Sequence, residues 1–189
     1  MRTLTVALFA ALIALPAYAA KMAGVSFPDS QSVGGSELVL NGLGLREATL
    51  GIDVYVAGLY LPSKTNDAGT VLSKDTPKHL KMHFVIDSLM KKKVSQEDQV
   101  GAWTDGFKNN GVDINKIKSE ADQLFGWMTE MRKGDTMAFT YVPGEGTTVM
   151  VKGQKKGTIP GDYFQEAVFK SFVGPKPPNE GLKTGLLGR

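Results

Sequence analysis

Apolar and polar positions follow the two-residue period of β-strands in the first third of the chain. Residues 24–28 and 37–40 form short runs on either side of a polar, glycine-rich stretch. Residues 52–61 form a stronger run of β-branched and aromatic residues in which both faces are largely apolar. This pattern predicts a strand covered on both sides, with Gly58 leaving room for a close neighbour or a ligand.

Residues 79–86 also alternate, but only one face of this segment is apolar. His79, Lys81 and His83 share the other face, which predicts a strand with one solvated side. Further along, residues 136–142 and 147–152 predict a hairpin joined by a four-residue turn. We expect residues 154–157 to reverse the chain again, toward a short strand at Thr158 and Ile159.

Helical periodicity begins at Ser95, which starts a sequence typical of a capping box, and ends at the turn of residues 109–111. A second helix is predicted over residues 113–128, a third from about residue 162 to Gly174, and a short last one over residues 179–187. We expect the first two to form a helical hairpin. The aromatic residues on the helical stripes fill the core or line a cleft between helices and sheet: Trp103, Phe107, Phe125, Trp127, Phe164, Phe169 and Phe172.

The order of elements is strands, helical hairpin, strand hairpin and helices. Such an order predicts an α+β domain whose sheet is mainly antiparallel. The chain contains no internal repeat, linker or low-complexity tract. We therefore expect one domain, residues 20–189.

The first residues have the pattern of a secretory signal peptide. Arg2 gives a positive start, residues 4–15 are apolar except for Thr5, and residues 16–19 end with small side chains. The apolar run is shorter than the roughly 20 residues that span a bilayer, and no second such segment follows. We predict cleavage after Ala19 and export across the inner membrane, to the periplasm.

Charge and cysteine content exclude several classes of protein. The formal charge of +3 falls to +2 when Arg2 leaves with the signal peptide, which argues against a nucleic-acid partner. The chain has no cysteine, which excludes disulfides, thiolate metal sites and cysteine nucleophiles. Residues 91–93 are three lysines that could attract an anionic surface, but Glu97 and Asp98 follow closely and favour a solvated loop.

Motifs for catalysis and cofactor binding are missing from the sequence. The only two histidines, His79 and His83, lie on a predicted strand without an evident third ligand, so we expect no metal site. There is no Gly-x-Ser-x-Gly elbow and no glycine-rich nucleotide loop. We therefore expect no cofactor.

Arg46 is the best candidate for a functional residue, because residues 38–45 before it carry no charge. A guanidinium in apolar surroundings costs several kcal/mol of hydration unless an anion or acceptors compensate. If Tyr55 on the next strand faces the same cleft, the two would bind an anionic head group attached to an apolar body. Alternatively, Arg46 pairs with Glu47, Asp53 or solvent, and Tyr55 only fills a strand.

Four segments, residues 43–46, 56–61, 93–110 and 164–188, resemble the chalcone isomerase-like family in their order and spacing. The resemblance covers most of the chain after the signal peptide, although no single motif is diagnostic. It implies an open-faced β-sandwich in which a large antiparallel sheet packs against a layer of helices.

The resemblance also implies roles for Arg46 and Tyr55. Arg46 matches the arginine with which plant chalcone isomerases stabilise a substrate phenolate, and Tyr55 aligns with a catalytic threonine. In fatty-acid-binding members the same pair is arginine and tyrosine, and it holds a carboxylate. Met90 and Glu97 stand approximately where isomerases have a tyrosine and an asparagine.

These matches lead to two hypotheses. The first is an exported, cofactor-free protein that binds a small anionic amphiphile, such as a fatty acid, through Arg46 and Tyr55. The second is an isomerase, or intramolecular lyase, in which Arg46 stabilises an oxyanion and Tyr55 donates a hydrogen bond or a proton.

Overall fold

The computed structural model of the protein describes residues 19–73, 75–89 and 91–189. All of the predicted signal peptide except Ala19 lies outside these residues, so cleavage after Ala19 stays a prediction. Met90, one of the two positions at which the chain departs from the isomerase pattern, also lies outside them.

Eleven strands and five α-helices make up the described part of the chain. The strands are β1 (Ala19–Met22), β2 (Val25–Pro28), β3 (Ser30–Val33), β4 (Ser36–Ala48), β5 (Ile52–Leu61), β6 (Lys78–Phe84), β7 (Lys93–Val94), β8 (Met131–Arg132), β9 (Thr136–Val142), β10 (Gly146–Val151) and β11 (Gln154–Ile159). The helices are α1 (Ala68–Ser73), α2 (Gln96–Asn109), α3 (Lys118–Trp127), α4 (Asp162–Val173) and α5 (Glu180–Leu186). Short 3₁₀ turns occupy Thr49–Gly51 and Ile114–Ile117.

Seven strands form one antiparallel sheet, in the order β11-β10-β9-β6-β5-β4-β3. The short strands pair separately, β1 with β2 and β7 with β8. The predicted α+β class with a large antiparallel sheet is therefore confirmed.

The two faces of the sheet carry different layers. One face supports the main core together with the helices, and alternate residues of β5 such as Ala57 and Leu59 point into it. The other face carries a smaller cluster that includes Phe27 of the β1–β2 hairpin and Val56. At Gly58 a Cβ would lie 2.8 Å from the Phe27 ring. The room that Gly58 leaves is therefore occupied by this phenylalanine.

The start of α2 agrees with the sequence pattern. The Ser95 Oγ accepts a hydrogen bond from the Asp98 backbone N–H, and the Asp98 carboxylate accepts one from the Ser95 N–H, both at 3.0 Å. This capping box satisfies backbone donors that the first turn leaves unpaired. The expected helical hairpin is wrong, however, because α2 packs along α4 rather than along α3.

Most of the strands that the sequence pattern predicted too short, or did not predict at all, lie at the edges of their sheets. β11 begins at Gln154, and the chain reverses at Lys152 and Gly153, which both have positive φ as two-residue hairpin turns require. The predicted reversal over residues 154–157 is therefore wrong. Edge strands carry polar and charged residues that prevent pairing with another chain. The Gln-Lys-Lys run at the start of β11 therefore lacks the alternation of apolar and polar residues that is typical of a strand.

Candidate functional site

A β-bulge in β4 decides which face of the sheet Arg46 joins. Leu40 faces the smaller cluster, and Gly42, two residues on, would share that face in an unbroken strand. The pairing with β5 shifts by one residue at Asn41, so Gly42, Gly44 and Arg46 turn to the helix-covered face. One extra residue inverts the alternation of all that follow it.

Asn41 holds this bulge through both ends of its side-chain amide. Its Nδ2 donates to the Leu186 carbonyl at 2.7 Å, and its Oδ1 accepts from the Thr65 N–H at 2.7 Å. The side chain is only 6% exposed. A buried amide with its donor and acceptor both paired fixes the local backbone, and hence the position of Arg46.

Glycines allow α5 to lie directly on β4. A Cβ at Gly42 would overlap the carbonyl of Gly185, and one at Gly44 would overlap the carbonyl of Leu182. Asn179, at the start of α5, donates through Nδ2 to the Leu45 carbonyl at 3.1 Å. The strand that carries Arg46 is therefore fixed by backbone contacts that no larger residue would permit.

Tyr55 lies directly opposite Arg46 in the β4–β5 register, so the two side chains share one face. A second shift next to this pair leaves Val54 without a partner on β4 and restores the original register. The Tyr55 ring is 8% exposed and packs on Phe84, with ring centroids 5.6 Å apart. Burial raises the pKa of the Tyr55 hydroxyl above its ordinary value, and nearby Arg46 only partly opposes this. The hydroxyl therefore stays a neutral donor.

The Arg46 guanidinium has a backbone partner but no carboxylate. Its Nη1 donates to the carbonyl oxygen of Glu47, and within residues 19–73, 75–89 and 91–189 it forms no salt bridge. Of the alternatives, a salt bridge with the Glu47 or Asp53 carboxylate is not formed among the described residues, whereas contact of Arg46 with solvent is compatible with its half-buried side chain. The side chain is half-buried, and most of its donors remain available.

Arg46 and Tyr55 both line a cavity of about 740 Å³ between the sheet and the helices. The ends of β4, β5, β6 and β9 form one wall, α2 forms the other, and the end of α4 and residues 176–178 close one side. Its apolar lining includes Ile52, Val54, Met82, Phe84, Ile86, Val94, Trp103, Met137 and Phe172. The volume is within the range of small-molecule sites, roughly 300–1,000 Å³.

The α2 wall combines small and polar residues with Trp103. Gly101 and Ala102 leave space where longer side chains would fill the cavity, and Glu97 and Asp105 lie on the same side of the helix. Glu97, the second position that departs from the isomerase pattern, therefore lines the cavity. A carboxylate accepts hydrogen bonds but cannot donate the N–H of an asparagine.

The aromatic residues of the helical stripes divide between core and cavity. Trp103 and Phe172 line the cavity, with their ring centroids 5.7 Å apart. Phe107, Phe164 and Phe169 are buried in the core. Periodicity places all five inside, but only the packing of α2 against α4 determines which of them face the cavity.

Sequence reasoning missed part of the cavity wall. Phe84 and Met137, on β6 and β9, are predicted strand residues without an assigned role, and Gly101 likewise has none. Apolar alternation marks the first two as inward-facing. Gly101 could have been noticed because glycine inside a helix lowers the stability of the helix. A glycine at such a position suggests that the absence of a side chain is needed there, for example to leave space for a cavity.

The two histidines lie on the opposite face of the sheet, away from the cavity. His79 is buried beside Tyr60, with ring centroids 5.7 Å apart, and its Nδ1 is 2.7 Å from the Thr140 Oγ1. The predicted solvated face of β6 is therefore wrong at His79, because Tyr60 covers it. Among the described residues there is no cluster of three or more His, Asp or Glu side chains that could hold a metal ion.

Burial of His79 predicts a loss of stability in acid. Burial, and secondarily Lys81, lowers the pKa of His79 from 6.5 to about 4. Between these two values the unfolded chain binds a proton that the folded chain does not, so stability falls as pH falls from 6.5 to 4. We expect this group to cost about 2 to 3 kcal/mol at pH 4.5 relative to pH 7.

Urea unfolding of wild type and His79→Gln at both pH values measures this contribution. The variant should lose less stability than wild type between pH 7 and 4.5, by about 2 to 3 kcal/mol. His83→Gln is the matched control, since His83 is more exposed, and its effect should be smaller. Equal acid sensitivity of wild type and His79→Gln would contradict the prediction.

No helix in the described part of the chain is both long enough and apolar enough to cross a membrane.

Two of the comparisons with known proteins give matches. A family model described as chalcone isomerase-like matches residues 19–188. The crystal structure of a fatty-acid binding protein from Arabidopsis thaliana aligns with a TM-score of 0.64 at 19% sequence identity, covering 90% of this chain and 96% of that one. At this identity the likeness establishes the fold, and it confirms the predicted chalcone isomerase-like architecture. A search of curated proteins gives no match.

Proposed function

We propose, on the premise that the chain belongs to the chalcone isomerase-like family, that it is an exported, cofactor-free protein that binds a small anionic amphiphile such as a fatty acid. Arg46 and Tyr55 hold the head group, and the apolar cavity wall covers the tail. The export signal is the apolar segment at the start of the chain.

The observation that supports this proposal most is the guanidinium of Arg46, which has a carbonyl partner but no carboxylate partner among the described residues. The group is half-buried at a largely apolar cavity, and no described carboxylate forms a salt bridge with it. A charge kept in this position without a partner anion is costly. A ligand carboxylate matches the forked donors of a guanidinium and removes that cost.

Tyr55 adds a second donor without adding charge. Because its pKa is raised, the hydroxyl remains protonated across the physiological range. Its position opposite Arg46 allows both to reach one head group. An anionic oxygen that accepts from both would be fixed at the β4–β5 end of the cavity.

The remainder of the cavity suits an aliphatic chain. Its lining is mostly aliphatic and aromatic, from Ile52 on the sheet to Trp103 on α2. Transfer of a methylene group from water to such surroundings contributes about 0.8 kcal/mol. The tail would therefore supply most of the affinity, and the head-group pair most of the selectivity. The name of the Arabidopsis neighbour, a fatty-acid binding protein, is consistent with this ligand class.

The isomerase hypothesis uses the same Arg46 to stabilise an oxyanion, so the two hypotheses differ in the surrounding residues. The side chain of Glu97 in the cavity is the observation that favours binding. A carboxylate there accepts hydrogen bonds but cannot donate the N–H of an asparagine to a phenolic substrate. Positioning by several hydrogen bonds contributes much of the rate in such a ring closure.

Native mass spectrometry of the secreted protein tests the proposal. The purified wild-type chain should begin at Ala20 and carry a co-purified acid, which solvent extraction identifies. Arg46→Ala should fold and lose that acid. Turnover of a supplied chalcone that Arg46→Ala abolishes, with no acid bound to wild type, would overturn the binding proposal in favour of the isomerase.

A further inference from the structure

Two leucines stand out on the surface of the protein. Leu89 is 100% exposed and Leu50 is 76% exposed, and no other large hydrophobic side chain in the described ranges is more than half exposed. Leu50 lies in the turn between β4 and β5, and Leu89 in the segment after β6. A single exposed leucine needs no explanation, so their relative position is the informative feature.

Both leucines lie at one end of the sheet. β5 begins and β6 ends there, since Tyr55 pairs with Phe84 and the Val85 N–H donates to the Val54 carbonyl at 2.9 Å. In two neighbouring antiparallel strands, the start of one strand and the end of the other lie at the same end of the sheet. The two loops therefore project in the same general direction.

The same end of the sheet borders the cavity. Ala48 and Ile52, two residues to either side of Leu50, line the cavity, as do Ile86 and Lys91 on either side of Leu89. We call residues 48–52 of the first loop and residues 86–89 and 91 of the second the cavity rim. The rim carries exposed apolar side chains at the place where a ligand would enter.

Leu50 is held in an unfavourable backbone conformation. Its φ is 66° and its ψ 24°, in the left-handed region that glycine and asparagine tolerate better than leucine. Its side chain is largely exposed, so packing does not explain a leucine at this turn. A residue that strains the turn and adds nothing to the core points to a role outside the fold.

The charges around the rim are mixed in sign. Lys92 and Lys133 both contact Asp87, at 2.7 and 2.8 Å, and Lys91 contacts Asp98 at 2.9 Å. All five side chains are at least two-fifths exposed. Alternating ammonium and carboxylate groups complement zwitterionic phospholipid head groups, whose phosphate and ammonium can each find a partner. A polyanion would be repelled by the carboxylate groups of this surface.

We propose that the cavity rim docks on a phospholipid bilayer, with Leu50 and Leu89 inserted at the boundary between head groups and acyl chains. The mixed charges around the rim then face the head-group layer, and the cavity opens toward the membrane. Insertion of apolar side chains is the driving force, so binding depends little on salt. Docking does not require Arg46 or a ligand in the cavity.

Sedimentation with phosphatidylcholine vesicles tests the proposal, using the delipidated mature protein. Wild type should partition to the vesicles, and Leu50→Asn/Leu89→Ser should bind at least tenfold more weakly. Ile114→Ser is the matched control, since Ile114 is exposed but lies outside the cavity lining, and it should bind as wild type. Arg46→Met should also dock normally, which separates this proposal from the proposed ligand.

The single variant Leu50→Asn separates docking from folding. Asparagine suits the backbone of this turn, so its melting temperature should equal or exceed that of wild type while its vesicle binding falls. Wild type that fails to sediment with the vesicles would overturn the proposal. So would a double variant that binds as tightly as wild type, or wild type that uses the two leucines to dimerise and ignores lipid.

Discussion

Replacement of Arg46 by methionine is expected to weaken the binding of a long-chain fatty acid about 100-fold, while the fold is retained. Methionine keeps the unbranched apolar stem and removes the donors that a carboxylate would use. Among the described residues the guanidinium of Arg46 has one hydrogen-bond partner, the Glu47 carbonyl, so its loss should change the free energy of unfolding by less than about 1 kcal/mol. Calorimetric titration and urea unfolding measure the two effects.

Two further variants resolve the head-group interaction. Arg46→Lys keeps the charge but loses the forked geometry, so its affinity should lie between those of wild type and Arg46→Met. Tyr55→Phe keeps the ring that packs on Phe84 and removes only the hydroxyl, and it should cost about tenfold. Affinity that is unchanged in both Arg46 variants would mean that the head group binds elsewhere.

Introduction of a side chain at Gly44 is expected to destabilise the protein by about 3 kcal/mol or more. In Gly44→Val the new atoms would overlap the backbone of Leu182, which cannot move without displacing α5 from β4. The melting temperature should fall by roughly 6 to 12 °C, and ligand binding should weaken because Arg46 lies two residues further along the same strand.

Gly126→Ala is the matched control for this prediction. Gly126 lies in α3, and a Cβ at this position would have no neighbouring atom within 4 Å, so alanine should be neutral or stabilise the helix by up to about 1 kcal/mol. A Gly44→Val protein as stable as wild type would show that α5 does not rest on β4 in the way the structure indicates.

The sequence allowed several elements to be predicted with accurate bounds. β5 matches its predicted range, because β-branched and aromatic residues fill it without interruption. The start of α2 at Ser95 and the pairing of β9 with β10 were also predicted correctly, since capping and turn residues act locally. The predicted four-residue turn of this hairpin is wrong, because Gly146 already pairs with Val142 and leaves only three residues in the turn. Where short-range chemistry determines an element, the sequence reveals it.

β4 was the hardest element to predict, because tertiary contacts determine it. The sequence pattern predicts a strand only over residues 37–40, whereas β4 runs to Ala48. Gly42 and Gly44 have low strand propensity, and the bulge at Asn41 breaks the alternation. Both features are explained by the packing of α5 on this strand. Because α5 lies at the C-terminal end of the chain, this contact cannot be inferred from the local sequence of β4.

The candidate site shows the same division. Arg46 and Tyr55 could be chosen from the sequence, because a lone charge in an apolar segment is unusual and the family resemblance names both positions. A cleft between helices and sheet was one of the two alternatives drawn from the aromatic residues, but its full lining could not be predicted, since its walls come from β6, α2 and α4 as well as β4 and β5. The face of the sheet on which Arg46 lies could not be predicted either, because it depends on the one-residue register shift at Asn41.

The link from fold to function is therefore the bulge and the helix that supports it. Asn41 turns Arg46 toward the helix layer, the glycines bring α5 onto β4, and the register places Tyr55 opposite the guanidinium. α2 then covers the pair and leaves an apolar cavity beside it. Each step uses a contact that is distant in sequence.

Recognition of an anionic head group by Arg46 is the central claim, and a double-mutant cycle between protein and ligand tests it most directly. Affinities of wild type and Arg46→Met are measured for a fatty acid and for the alcohol of the same chain length. We predict a coupling energy of about 2 kcal/mol, with the alcohol almost insensitive to the substitution. Equal losses for acid and alcohol, with no coupling, would contradict the claim.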